Sequence, residues 1–191
     1  MIRQPILIFI FLFTLLLCSG LNVFADSNQE VQFKDLTITT SNTHLLLFGV
    51  VTNDKSKELE QALHNSIPMH FTFFIDLYRT RNNWPDEELT SLEFSHTLRY
   101  DALTERYQLE IEEQKGRKTT FKTLKEAMQV MNEINGLKVI ELSRLQPDSS
   151  YELRMKAELY EKTLPMNLHY VIPFISLWNL ETDWHTIEFT Y

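Results

Sequence analysis

Residues 178–185 bring together side chains that could do acid–base chemistry: two acids between two tryptophans, followed by a histidine. A carboxylate within hydrogen-bonding reach of an imidazole can act with it as a general acid or base. The strand that follows argues against this use, because its alternation directs His185 to the core side and Trp184 to the polar side. We expect the segment to anchor the last strand. A partner contact through Trp178, Asp183 and Trp184 is the second interpretation, and catalysis is the third.

A second group of candidate residues, Arg79, Arg81 and Trp84, follows the clearest strand of the sequence. Guanidinium groups beside an indole can bind anionic or planar ligands through bidentate hydrogen bonds and stacking. The same residues can instead serve the domain itself, if an arginine stacks on Trp84 and pairs with an acid on the neighbouring strand. The pattern favours this structural use and leaves the partner contact open.

His96 lies on the apolar side of its strand, where an imidazole either lines a pocket or bonds to the backbone at the edge of the core. We expect the backbone hydrogen bond. His70 and Asp76 share one face of another strand, but they are separated by roughly 20 Å and cannot bond to each other. The adjacent acids Glu87–Glu88 and Glu112–Glu113 point to opposite faces and are interpreted as solvated surface.

The sequence lacks the local motifs of nucleotide, nucleophile and zinc chemistry. Its four glycines are far apart, so a glycine-rich phosphate loop or a nucleophile elbow cannot form. No two histidines have the i, i+4 spacing of a helical zinc site, and the single cysteine, Cys18, lies in the N-terminal segment. We therefore expect no cofactor, no metal and no enzymatic activity.

The first 25 residues have the layout of a secretory signal peptide, with Arg3, an apolar run over residues 6–17 and small residues before Asp26. The apolar run is shorter than the roughly 20 residues that span a bilayer. We predict an exported protein, periplasmic if the segment is cleaved and anchored in the inner membrane, facing the periplasm, if it is not. The formal net charge of −8 argues against binding to nucleic acid, and membrane contact is expected only through this segment.

Residues 26–191 are predicted to form a single domain. It is mainly β (α+β), with about eight strands in an antiparallel β-sandwich or curved sheet and two or three short helices. Residues 69–80 alternate strictly between apolar and mostly polar side chains. Such half-solvated strands pair antiparallel, since parallel sheets are covered on both faces. The other predicted strands are residues 31–40, 45–52, 92–100, 107–111, 137–145, 151–159 and 184–191.

Two short helices interrupt the predicted strands. Thr123 and Glu126 have the spacing of a capping box at the start of one helix, and Gly136 is expected to end it. The other helix spans about residues 56–65 and ends before Pro68. The apolar segment 163–178 breaks the pattern and either packs on the sheet or meets a partner. In the second case, Tyr170 and Phe174 join the candidate contacts.

In their order along the chain, several segments resemble the uncharacterised bacterial family called domain of unknown function 4390. They are residues 62–68, 79–86, 98–107, the capped helix after Thr123, and residues 178–184. The resemblance implies an exported, cell-envelope protein of β-rich fold. Family members are often encoded near a sensor histidine kinase, which implies a signalling accessory role. The family has no accepted catalytic residues that could be carried over.

Three functions are compatible with these patterns. The first is a non-enzymatic protein-binding or signalling-accessory module of the cell envelope, with a sensor histidine kinase as one candidate partner. The second is a carrier or sensor of a small apolar ligand held between the sheets or under the apolar segment 163–178. The third is an envelope hydrolase assembled from distant residues such as Asp76, His70 and the Arg79/Arg81 pair. We expect the first, with candidate partner contacts at Arg79, Arg81, Trp84, Tyr170, Phe174, Trp178, Asp183 and Trp184.

Overall fold

A computed structural model describes residues 31–52, 56–160 and 180–191. Their strands pair only antiparallel, which confirms the predicted mainly β, α+β fold. The predicted signal peptide and the segment 163–178, with Tyr170, Phe174 and Trp178, lie outside the described residues. Among the helices of the described ranges, none is long and apolar enough to cross a membrane.

Ten strands and two α-helices follow one another along these ranges. In chain order they are β1 (Gln32–Thr40), β2 (His44–Thr52), α1 (Ser56–His64), β3 (Met69–Arg79), β4 (Glu87–Asp101), β5 (Arg106–Ile111), β6 (Arg117–Phe121), α2 (Leu124–Met131), β7 (Glu133–Glu141), β8 (Ser150–Tyr160), β9 (Leu180–Glu181) and β10 (His185–Thr190). Short 3-10 turns at Glu112–Gln114 and Leu142–Arg144 follow β5 and β7.

The strands form a large and a small antiparallel sheet. The large sheet has the order β10-β8-β3-β4-β5-β6, with β9 beside β8, and the small sheet has the order β1-β2-β7. β9 and β10 pair with the same side of β8. β9 pairs with the C-terminal end of β8, and β10 pairs with its N-terminal half. Residues 182–184 lie between them and interrupt the edge of the large sheet that β9 and β10 form.

The alternation of β3 positions the core as predicted. Its five inward side chains are at most 1% exposed: Met69, Phe71, Phe73, Ile75 and Leu77. They belong to one hydrophobic cluster that also takes in residues of the small sheet and of both helices. Burying a Phe or Leu side chain contributes roughly 1.5–3 kcal/mol, so this shared cluster is the main reason for the two sheets to stay together.

The predicted capping box begins α2. Thr123 Oγ1 accepts the Glu126 amide N–H at 3.3 Å, and Glu126 Oε2 accepts the Thr123 N–H at 3.3 Å. The predicted end at Gly136 is wrong. The helix stops at Met131, and Gly136 lies within β7 with φ of 73°. It is the extra residue at a shift of register opposite Phe48, a bulge position where only glycine is free of strain.

β6 and β9 bring the strand count above the predicted eight. β6 has the sequence Arg-Lys-Thr-Thr-Phe, without the apolar alternation that would predict a strand, and it forms because β5 offers a free edge. β9 is only two residues long. β7 also begins at Glu133, four residues before the predicted start.

Candidate partner-binding surface

Residues 80–86 form the turn between β3 and β4, which we call the Arg-Trp turn. A single carboxylate next to this turn bonds to two arginines. Arg79 and Arg81 both donate from Nη2 to Oε2 of Glu87, the first residue of β4. Arg79 lies directly opposite Glu87 in the register of the two strands. This is the pairing with an acid on a neighbouring strand that the structural interpretation predicts. Glu87 lies at the surface, as interpreted, with 36% of its side chain exposed, and it bonds to both arginines there.

The backbone of the Arg-Trp turn has its own contacts. Asp86 Oδ1 accepts the Arg81 amide N–H at 3.2 Å, and Asn83 has a left-handed φ of 65°. Thr80 donates from its amide and from its hydroxyl to the carbonyl of Ser150 in β8. Hydrogen bonds therefore connect the start of the turn to β8 and connect the two ends of the turn to each other. A turn with these contacts has a defined conformation in the free protein.

Trp84 projects from this turn into solvent. It is 75% exposed, and the cation–π contact found among the described residues joins Arg154 to Tyr78 rather than an arginine to Trp84. The predicted stacking of an arginine on Trp84 is therefore wrong. Most of the indole surface is therefore accessible from solvent.

The outer face beside the Arg-Trp turn carries a second polar cluster. Arg154 Cζ lies 4.5 Å from the centre of the Tyr78 ring, and Arg154 donates to both carboxylate oxygens of Glu152 at 2.7 and 3.1 Å. Partial burial, with the negative charges of Asp76 and Glu88, raises the pKa of Tyr78. Its hydroxyl donates to Glu88 Oε2 at 3.4 Å. These contacts link β3, β4 and β8 on the face beside the turn.

The C-terminal segment holds the edge of the sheet through Thr182 rather than through an acid–histidine pair. Thr182 is 3% exposed; its amide donates to the carbonyl of Ala157, and its Oγ1 accepts the Ala157 N–H at 3.0 Å. Glu181 pairs with Lys156 at 2.6 Å. Asp183 is exposed, and Trp184 is 51% exposed.

His185 does not reach the core as predicted, because it lies at the open edge of the sheet, where its side chain is exposed. Ile187 and Phe189, on the same parity, are half-buried, so the predicted alternation holds further along β10.

Trp84 and Trp184 belong to separate patches. Arg79 lies opposite Tyr151 at the start of β8, whereas His185 lies opposite Met155, about 13 Å further along that strand. The Arg-Trp turn continues away from this point in the other direction. Arg79, Arg81 and Trp84 therefore belong to one surface, and Asp183 and Trp184 belong to another.

A histidine–tyrosine contact that the sequence did not predict joins α1 to the large sheet. Nε2 of His64 lies 2.9 Å from the hydroxyl of Tyr107, and the His64 ring stacks on Tyr100 with 4.1 Å between centroids. The Tyr107 hydroxyl also lies 3.4 Å from Glu60 Oε1. The segments 62–68 and 98–107, both noted for the family resemblance, meet here. Their separate positions in the sequence carry no signal of this contact.

His96 bonds to the backbone, as expected, and also to a carboxylate. It is fully buried; Nδ1 lies 2.7 Å from the carbonyl oxygen of Met131, and Nε2 lies 2.9 and 3.1 Å from the two oxygens of Glu113. The neighbouring Glu112 accepts the amide N–H of Ser95 at 2.8 Å. Glu112 is exposed, as interpreted, whereas the side chain of Glu113 is only 15% exposed and bonds to the buried ring, so the surface interpretation is wrong for Glu113.

The residues suggested for a hydrolase do not converge within the described ranges. His70 Nδ1 lies 3.0 Å from the hydroxyl of Thr97, while Asp76 lies in the register opposite Ser91 and Arg154. No group of three or more histidines, cysteines and acids suited to a metal ion is found within residues 31–52, 56–160 and 180–191.

A cleft of about 1110 Å³ lies where the small sheet meets both helices. Its apolar wall includes Val50, Leu124 and Met128, and its charged lining consists of Lys34, Glu60, Lys125 and Glu133. Asn132 also lines it, with a buried Oδ1 that accepts no hydrogen bond from the described part of the chain. A buried carbonyl oxygen of this kind usually has a donor, such as a water molecule or a ligand.

The family comparison agrees with the resemblance noted in the sequence. The profile of the domain of unknown function DUF4390 matches residues 28–188. The chain belongs to the DUF4390 family. No curated protein and no solved structure matches it significantly. The DUF4390 match covers the Arg-Trp turn, the His64–Tyr107 contact and the buried His96, so all three lie within the family domain.

Proposed function

We infer that this DUF4390 chain is a non-enzymatic protein-binding module of the cell envelope and that Trp84 is its principal contact. The observation that supports this most directly is the 75% exposed indole on a turn tied down by two arginines and Glu87. Tryptophan is enriched among residues that dominate binding energy. A side chain offered from a fixed turn loses less conformational entropy on binding than one offered from a mobile loop.

The chemistry of the Arg-Trp turn indicates what the partner provides. Both guanidinium groups already bond to Glu87, and Asp86 bonds to the backbone of the turn. The exposed apolar group of this turn is the indole of Trp84. It loses water-exposed apolar surface when it enters a pocket on a partner. We therefore propose a partner with an apolar recess, in which the polar turn forms the rim of the contact.

Location and biological context belong to the same proposal. Export is inferred from the signal-like residues 1–25, and a signalling accessory function from the family resemblance. The extracytoplasmic part of a sensor histidine kinase is the partner that this context suggests.

The proposal is tested by capture with the tagged protein from crosslinked envelope extract, followed by binding measurements with the purified partner. Trp84→Ala should weaken binding by roughly 30-fold or more, as expected for a central tryptophan. Leu103→Ala is the matched control, since Leu103 is 96% exposed on another hairpin turn of the same sheet. This variant should bind the partner with wild-type affinity. Equal affinity of wild type and Trp84→Ala, or recovery of no partner, would contradict the proposal.

Trp184 permits a second comparison. Normal folding of Trp184→Ala with weakened binding would extend the contact to the C-terminal patch. Loss of stability would assign Trp184 to anchoring β10, which is the interpretation that its sequence favours.

The cleft supports a second candidate function, the binding of a small ligand. Its volume is in the range of ligand sites, but its charged lining suits a ligand with polar groups as well as an apolar part. Native mass spectrometry of protein purified without detergent should then detect a bound species. Met128→Trp should displace it by filling the apolar wall. A spectrum containing only the bare chain would contradict this function.

A further inference from the structure

One face of α2 forms a wall of the cleft between the small sheet and the helices. The neighbouring face of the helix is buried in the core through Leu124, Ala127 and Met131. Residues on the cleft face, together with the residue that ends the helix, are Lys125, Met128, Gln129 and Asn132. Their spacing of i, i+3, i+4 and i+7 places them in one line along the helix. The cleft therefore runs from the first turn of α2 to its C-terminal end.

The opposite wall is a row of residues across the small sheet. Lys34 in β1 lies opposite Val50 in β2, and Val50 lies opposite Glu133 in β7. Residues directly opposite each other share one face of a sheet, and neighbouring strands are roughly 4.8 Å apart, so about 10 Å separates the first residue of this row from the last. The row has an apolar side chain in the middle and a charged one on either side.

Asn132 brings an unpaired polar atom to the cleft. Its backbone is fixed, because its N–H donates to the Met128 carbonyl at 3.0 Å and its carbonyl accepts the Val51 N–H at 2.9 Å. Its side-chain Oδ1 is buried and accepts no hydrogen bond from the described part of the chain. A buried carbonyl oxygen without a donor destabilises the structure that contains it. A ligand that fits this position supplies an N–H or O–H donor.

The charged groups of the cleft differ in whether they have partners. Glu60 lies 3.4 Å from the Tyr107 hydroxyl, and Glu133 accepts from the side-chain amide of Asn135 at 2.9 Å. Within residues 31–52, 56–160 and 180–191, no acid forms an ion pair with Lys34 or Lys125. The ammonium groups are thus the charges of the cleft that lack a partner, and they favour a ligand that carries an anionic group.

We propose that the cleft binds a short peptide that has a free C-terminal carboxylate and an apolar last side chain. A peptide N–H donates to Asn132 Oδ1, and the carboxylate pairs with Lys34 and Lys125. The apolar side chain packs on Val50 and Met128. This inference rests on the second candidate function, ligand binding in the cleft, and names the class of ligand. A fatty acid has the anion and the apolar chain but no N–H for the buried oxygen, and a peptide amide has no anion.

Three compounds separate these requirements when they are titrated into the full chain. The probe is N-acetyl-leucyl-leucine, which has N–H donors, a carboxylate and apolar side chains. Its C-terminal carboxamide lacks the anion and should bind roughly tenfold more weakly. Decanoate lacks the N–H donor and should also bind roughly tenfold more weakly. Equal affinity of the probe and either of the other two compounds would overturn the proposed ligand class.

Variants of the cleft residues locate the probe. Asn132→Ala should weaken its binding by roughly tenfold, because a peptide N–H then loses its acceptor. Lys34→Gln and Lys125→Gln should each weaken it by roughly threefold, the scale of an exposed ion pair. Lys122→Gln is the matched control, since it removes an exposed charge just before α2 that does not line the cleft, and it should bind normally.

Calorimetry measures the affinities, and the NMR signal of the Asn132 side-chain amide should shift as the probe is added. Unchanged affinity in Asn132→Ala, or in both lysine variants, would overturn the proposal. If Asn132→Ala does not fold, the two lysine variants and the three compounds still decide the question, because both lysines are exposed and their replacement should leave the fold intact.

Native mass spectrometry distinguishes the failure of this inference from the failure of the candidate function on which it rests. A co-purified peptide that Met128→Trp displaces would support both. A displaced species of another chemistry, such as a fatty acid, would overturn the peptide assignment and leave ligand binding in the cleft standing. A bare chain that also fails to bind the probe would overturn both.

Discussion

His64 and Tyr107, 43 residues apart in the chain, lie 2.9 Å apart between imidazole Nε2 and phenol oxygen. The contact links the last residue of α1 to β5 of the large sheet, and Tyr107 is only 5% exposed. Its hydroxyl is thus a nearly buried polar group whose two partners among the described residues, His64 and Glu60, both belong to α1. The docking of α1 should depend on it.

Tyr107→Phe should lower the free energy of unfolding by about 1 kcal/mol at neutral pH, because His64 and Glu60 lose their shared partner. Chemical denaturation measures this change. Tyr100→Phe is the control, since it keeps the ring that stacks on His64. Equal stabilities of wild type and Tyr107→Phe would show that the hydrogen bond contributes nothing to docking.

The same residue predicts a loss of stability in alkali. Burial, followed by the negative charge of Glu60, raises the pKa of Tyr107 above its ordinary value of 10.0. The folded protein therefore keeps the proton longer than the unfolded chain. The stabilisation is complete below pH 10.0 and is lost as the pH rises through the folded pKa. The advantage of wild type over Tyr107→Phe should shrink across that window, as measured by denaturation at a series of pH values.

Asp101 predicts the opposite dependence at acid pH. A hydrogen bond from the Thr104 side chain, followed by one from the Leu103 amide, lowers the pKa of its carboxyl below 3.8. The resulting stabilisation is present above pH 3.8 and is lost as the pH falls through the folded pKa. Asp101→Asn should be less stable than wild type at neutral pH and should match it in strong acid. Glu105→Gln, in the same turn, should show no such convergence.

The capping box at Thr123 gives a test of α2. Thr123→Ala removes the acceptor for the Glu126 amide and should lower the free energy of unfolding by about 1 kcal/mol. Thr123→Ser keeps a hydroxyl in the same position and should restore most of the loss. Failure of serine to restore stability would mean that the threonine methyl group, rather than the cap, is what matters.

Glu87→Gln tests whether the carboxylate shared by Arg79 and Arg81 orders the Arg-Trp turn. Global stability should change by less than about 1 kcal/mol, since ion pairs this close to the surface contribute little. Hydrogen exchange within residues 81–86 should accelerate, and partner affinity should fall because Trp84 is less ordered before binding. Glu88→Gln, which removes only the partner of the Tyr78 hydroxyl, should leave both unchanged.

Local patterns were enough to predict the strands that supply most of the core. The alternation of β3 identified five core residues, and the spacing of Thr123 and Glu126 identified the start of α2. These features follow from contacts between near neighbours: side chains alternate across a strand, and a cap reaches an amide three residues away. Trp184, the residue before β10, is 51% exposed, but His185, which the same periodicity directs to the core, is exposed as well, so periodicity alone does not account for its exposure.

The tertiary structure decided which distant residues meet. Glu87 and Glu113 belong to acid pairs that look alike in sequence, yet one bonds to two arginines across a hairpin and the other bonds to a buried histidine. Gly136 is a bulge rather than a helix end because β7 must pair with β2. Strand register and helix docking set these contacts. Both arise from the burial of a shared core across long sequence separations, which no local spacing encodes.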